Sequence, residues 1–107
     1  MSEFVVVLVT VASEQEGEKI AREVVEGRLA ACVNIVGPVR SLYRWEGKVA
    51  DEREYLLLIK TRAGLFPRLE ARVREVHSYE VPEVVALPVT AGSEAYLRWL
   101  AQSSAEP

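Results

Sequence analysis

The segment that most restricts the fold is Phe4-Val5-Val6-Val7-Leu8-Val9-Thr10-Val11, an unbroken apolar run rich in β-branched residues. Branching at Cβ favours extended backbone, and a run without polar alternation reads as a strand buried on both faces. Tyr55-Leu56-Leu57-Leu58-Ile59 repeats the pattern later in the chain. The first run is too short to span a membrane. Glu3 precedes it where a signal peptide would carry positive charge. The expected location is the cytoplasm.

Between and beyond these runs, local signals mark the other elements. Ser13 and Glu16 are spaced as a capping box, in which each side chain satisfies the other residue's backbone N–H. Glu14, Glu16 and Glu18 suit the positive end of the helix dipole. Ile20, Ala21, Val24 and Val25 form an apolar stripe, and Gly27 is the expected left-handed C-cap, so the first helix covers residues 14–26. Residues 30–45 read as extended, with Gly37-Pro38 marking a bend or bulge. Glu46-Gly47 is a hairpin turn, and the return strand runs from Lys48 to about Thr61. Leu65, Leu69, Val73 and Val76 recur at helical spacing, with Pro67 in the first turn. Val84 to Leu87 is a fourth strand, ended or placed at an edge by Pro88. Ser93 caps a short last helix, and the residues after Ala101 are expected to fray.

The order β-α-β-β-α-β within 107 residues predicts one α/β (α+β) domain, residues 1–107. It is a ferredoxin-like sandwich with a long hairpin between its second and third strands and a short C-terminal helix. In that arrangement the first and third strands lie in the middle, and the main helices cover one sheet face. Side chains alternate between faces, so the second face is also apolar and needs a partner. Hairpin arms of roughly 14 residues reach about 45 Å, further than such a domain requires. An oligomer follows from both points.

Charge and motif content remove other classes. Thirteen basic against sixteen acidic residues give a net charge of −3, which argues against nucleic acid as the main partner. The single cysteine, Cys32, excludes an intramolecular disulfide. There is no nucleophile elbow and no phosphate loop. A Cys32–His77 dyad would need a contact in space, and the expectation is that the chain is not an enzyme. RNA-recognition domains share this element order but need exposed aromatics on the third strand, which Tyr55 to Ile59 does not supply.

Four stretches in fixed order carry a resemblance: Arg28-Leu29-Ala30-Ala31-Cys32-Val33-Asn34, then Tyr43-Arg44-Trp45-Glu46-Gly47, then Glu54-Tyr55-Leu56-Leu57-Leu58-Ile59-Lys60-Thr61, then His77 with Tyr79-Glu80-Val81-Pro82-Glu83. Over nearly the whole chain this resembles the CutA family, the divalent-cation tolerance proteins. Ser78 stands where the family pattern has proline, which frees the backbone of His77. The resemblance implies a compact homotrimer similar to the PII signalling proteins. It also implies a role in the response to metal ions, with copper or another divalent cation bound weakly and no organic cofactor.

The candidate metal ligands are Cys32, a soft thiolate, His77, and Glu83, with Glu80 as a further oxygen donor. No pair at zinc-site spacing exists, so one chain cannot build a four-ligand site, whereas a trimer can pool ligands. Each candidate also has a structural reading. Cys32 suits a small buried hydrophobe, and His77 suits the carbonyls at a helix C-terminus. Lys60 and Tyr79, with His77 and Glu83, can line a ligand pocket or form an ion-pair set at a subunit junction. Tyr43 and Trp45 at the hairpin tip suit trimer packing or ligand stacking. Two functions stand: a homotrimeric cation-response protein, or a PII-like module for a small anionic metabolite or partner protein.

Overall fold

A computed structural model describes residues 3–107. Its elements are β1 (Phe4–Val11), α1 (Glu14–Glu26), β2 (Cys32–Trp45), β3 (Lys48–Arg62), α2 (Phe66–Val76), β4 (Val84–Pro88) and α3 (Glu94–Ser103), with a 3-10 turn at Ala63–Leu65 before α2. The sheet has the order β2-β3-β1-β4 and every neighbouring pair is antiparallel. This is the ferredoxin-like arrangement, with the two continuously apolar strands at its centre.

Strand alternation divides the apolar residues between two faces. Val5, Val7, Val9, Val11, Leu57 and Ile59 pack with Ile20 and Val24 of α1 and Leu69 and Val73 of α2 in the main core. The intervening residues, Val6, Leu8, Leu56 and Leu58, stay partly exposed on the opposite face. There Leu8 pairs with Leu58 and with Val85, and Val6 pairs with Leu87. Val85 and Leu87 are 46% and 50% exposed. α3 covers only one end of this face, where Leu100 packs with Phe4 and Ala31.

The hairpin is the longest feature, and the molecule measures 44 × 25 × 22 Å. Trp45 pairs with Lys48 across the two-residue turn, where Glu46 and Gly47 have φ of 50° and 78°. Two successive positive φ values match the twist of the strands they join. The register slips between Val36 and Val39, at the break that Gly37-Pro38 marks. Gly37 lies under the Tyr55 ring, so closely that a Cβ would come within 2.6 Å of it.

Three local expectations change. Gly27 is not left-handed (φ −79°), whereas Arg28 is (φ 59°). The N–H groups of Arg28 and Leu29 donate to the carbonyls of Val25 and Val24, which is the Schellman pattern one residue later than expected. The capping box is half formed. Ser13 Oγ accepts from the Glu16 N–H at 3.1 Å, but the Glu16 carboxylate turns to Ser78 instead of Ser13. Finally, the residues after Ala101 are docked. Ala105 N–H donates to Arg28 O at 2.7 Å, Arg28 donates to the carbonyls of Gln102 and Ser104, and Ser104 is buried.

Candidate functional site

The segment after α2 crosses the end of β1 and approaches the hairpin. His77 closes the helix, its N–H donating to Val73 O, and then leaves helical conformation. Its side chain is fully buried. Tyr79 N–H donates to Nδ1 at 2.9 Å, so Nδ1 is an acceptor, and Nε2, 2.7 Å from Thr10 O, carries the proton. Both ring nitrogens are therefore engaged within the chain. Glu16 Oε2 lies 3.6 Å from Nδ1 and accepts from Ser78 N–H, while Oε1 accepts from Ser78 Oγ. Burial opposes the charge on Glu16. The two Ser78 bonds, with a longer one from the Ala12 N–H, outweigh it and hold the carboxyl below its ordinary value.

Beyond this joint, Tyr79 donates its phenolic proton to Glu54 Oε2 at 2.8 Å. Burial first, then the Glu54 bond and charge, push the Tyr79 pKa well above its ordinary value. Glu54 is only 5% exposed although it is a carboxylate. Together the loop and the hairpin enclose a cleft of about 670 Å³, lined by Glu54, Glu80, Glu83, Tyr43, Trp45 and Tyr79 among others. Arg40 also lines it, but its guanidinium is held bidentately by Asp51 at 2.9 and 2.7 Å.

The residues expected at the site fall into two groups. Tyr43, Trp45, Tyr79 and Glu83 share the cleft, and His77 sits behind it. Lys60 and Cys32 lie elsewhere. They are cross-strand partners at the level of Val6, whereas His77 meets β1 at Thr10. From Val6 to Thr10 the strand advances about 13 Å at ~3.3 Å per residue. Within one chain Lys60 therefore lies apart from His77 and Tyr79. Instead Cys32 Sγ is 3.7 Å from the Tyr96 hydroxyl, and Lys60 Nζ lies 5.8 Å from the Tyr96 ring centroid. Burial, then the Cys32 contact, raises the Tyr96 pKa. Among the described residues, no three His, Cys, Asp or Glu side chains gather closely enough to hold one metal ion. Cys32, His77 and Glu83 of one chain thus do not fit a metal centre by themselves.

Glu54 and Glu16 are the site residues that motif reading passes over. One signal for Glu54 was present: a carboxylate directly before the apolar run of a central strand needs a partner wherever the strand is buried.

Comparison with known proteins agrees with this architecture. Residues 5–103 match the family described as CutA1 divalent ion tolerance protein. The chain is 52% identical over 99 residues to the divalent-cation tolerance protein CutA of Thermus thermophilus, covering 92% of this chain and 96% of that one. It is 51% identical to the chloroplastic Protein CutA of Arabidopsis thaliana over 94% of this chain, and it spans only 55% of that relative's length. The crystal structure of CutA1 from Oryza sativa superposes with a TM-score of 0.96 at 45% identity, covering 99% of this chain and 97% of the other. The periplasmic divalent cation tolerance protein CutA of Archaeoglobus fulgidus does so with a TM-score of 0.91 at 35% identity, covering 94% and 97%. The chain belongs to the CutA1 divalent ion tolerance family.

Proposed function

We propose that the chain works as a non-enzymatic homotrimer in the response to metal ions, binding copper or another divalent cation weakly between subunits. The observation that carries self-association is the uncovered apolar ladder Val85–Leu8–Leu58 on the open sheet face. Apolar surface of that kind favours burial against another copy, and Leu42 and Val49 on the hairpin are exposed as well, at 62% and 64%. The number three rests on the family resemblance. Sharing of ligands follows from the separation of Cys32 from His77 and Glu83 within one chain. Weak binding follows from His77, whose Nδ1 has to release the Tyr79 N–H before it can ligate. The proposed location is the cytoplasm. No helix among the described residues is long and apolar enough to cross a membrane, and cell fractionation tests the compartment.

Light scattering with and without copper(II) tests the assembly. A mass of three chains in both conditions supports it, and a monomer in both conditions removes it. Calorimetric copper titration of His77→Ala and Cys32→Ser then tests the ligands, with loss of binding expected while the mass is retained. The alternative, a PII-like module for a small anionic metabolite, has to place the anion at Lys60, because carboxylates line the cleft. Ligand-dependent thermal stabilisation that disappears in Lys60→Ala would favour it.

A further inference from the structure

We infer that the cleft between the hairpin and the 77–83 loop is a binding site for a small aliphatic amine carrying two or more ammonium groups. Three carboxylates, Glu54, Glu80 and Glu83, line it together with Tyr43, Trp45 and Tyr79. The one guanidinium in the wall, Arg40, is already neutralised by Asp51. The interior is therefore negative. Tyr43 and Tyr79 are both pushed upward, by burial first and then by carboxylate neighbours that include Glu54.

Glu54 shows that the cleft is more than a row of surface acids. It is more than nine-tenths buried, and Tyr79 occupies only Oε2. Among the described residues Oε1 accepts no hydrogen bond, yet no fully buried side-chain oxygen is left unpaired. Oε1 therefore keeps some exposure, and Glu54 is part of the cleft wall. A carboxylate so placed needs a donor, and a cationic N–H is the strongest one.

The same geometry selects the kind of cation. A metal ion needs several oxygens converging within about 2.0–2.6 Å of one point, and these carboxylates do not converge. They serve separate charges along an elongated guest. The aromatic walls suit the methylene spacers of such a guest and can hold its ammonium groups against a ring face. The volume, about 670 Å³, falls within the range of small-molecule sites. This reading does not depend on copper binding, and it requires that the cleft stay open in the assembled protein.

The test is calorimetric titration of the intact protein, in its native association state, with 1,4-diaminobutane and spermidine at fixed ionic strength. Butylamine and magnesium chloride are titrated alongside. The expected result is saturable binding at one site per chain, with spermidine at least about tenfold tighter than butylamine, as a second charge-assisted hydrogen bond implies. Glu80→Gln combined with Glu83→Gln should weaken spermidine about tenfold or more. Trp45→Leu, which removes an aromatic wall but no candidate metal ligand, should weaken it while leaving copper binding unchanged. Glu80→Gln alone provides the reading if the double variant loses its fold by circular dichroism. Absence of saturable heat, as when a neighbouring copy fills the cleft, overturns the inference. So does equal competition by magnesium, or an affinity unaltered by the charge-removing variants.

Discussion

The Tyr79 hydroxyl donates to Glu54 Oε2 at 2.8 Å, tying the loop after α2 to the residue that opens the buried half of β3. Removing the hydroxyl strands a buried carboxylate, whereas removing the charge leaves a bond that an amide oxygen can still accept. Tyr79→Phe should therefore cost about 1–3 kcal/mol in urea denaturation, and Glu54→Gln less. The pKa of Tyr79 is raised in the folded state, so its contribution is complete below its ordinary value of 10.0 and is lost as the pH climbs beyond it. The wild type should lose stability above pH 10 more steeply than Tyr79→Phe.

Glu16 has the opposite sign. Its folded pKa lies below the ordinary 4.5, so its contribution is present above that value and fades as the pH falls through the folded pKa. Glu16→Gln should lower stability at pH 7 by about 1–2 kcal/mol, through the weakened Ser78 bonds. The gap should close as the pH falls from 5 to 3. Urea midpoints at three pH values decide it, and a gap that widens in acid contradicts the assignment.

These two glutamates also show what local sequence conveys. β1 and the second half of β3 were legible because their signal is an uninterrupted apolar run, and α1 because its periodicity and cap lie within one element. The Glu16 carboxylate could not be placed in this way. Its partner Ser78 is 62 positions away, and that bond wins over Ser13 next door. The docked C-terminus was equally hidden, because Ser104 and Ala105 are held by tertiary contacts with Arg28 and Arg62. Of the expected site residues, Tyr43, Trp45, Tyr79 and Glu83 meet because the hairpin returns past the 77–83 loop. Register alone separates Cys32 and Lys60 from them.

Arg28 combines a left-handed backbone with a side chain that holds the C-terminal segment. Arg28→Ala loses the guanidinium bonds and keeps the strain, whereas Arg28→Gly loses the bonds and relieves it. The glycine variant should be more stable than the alanine variant by about 1 kcal/mol. Both should speed hydrogen exchange at the Ala105 amide. Equal stability of the two variants would show that the cap carries no strain.

Gly37 leaves no room for a methyl group beneath Tyr55. Gly37→Ala should cost about 1–3 kcal/mol through overpacking at the bulge. Adding Tyr55→Val should recover part of that loss, because the obstructing ring is gone. A double-mutant cycle from denaturation midpoints measures the coupling. Strictly additive costs would mean that the glycine is needed for its backbone instead of its missing side chain.

The open sheet face allows assembly to be separated from folding. Val85 and Leu87 lie on the edge strand β4 and are about half exposed in the isolated subunit, so a charge there is solvated in a free chain. Against another copy the same charge has to be desolvated beside Leu8 and Val6. The combination Val85→Lys with Leu87→Glu should therefore leave the far-ultraviolet circular dichroism of the subunit intact while lowering the solution mass to that of one chain. Its melting temperature should then fall and stop depending on protein concentration, because association no longer contributes. A variant that retains the wild-type mass would place the interface off this face and leave the hairpin residues Leu42 and Val49 as the next surface to charge.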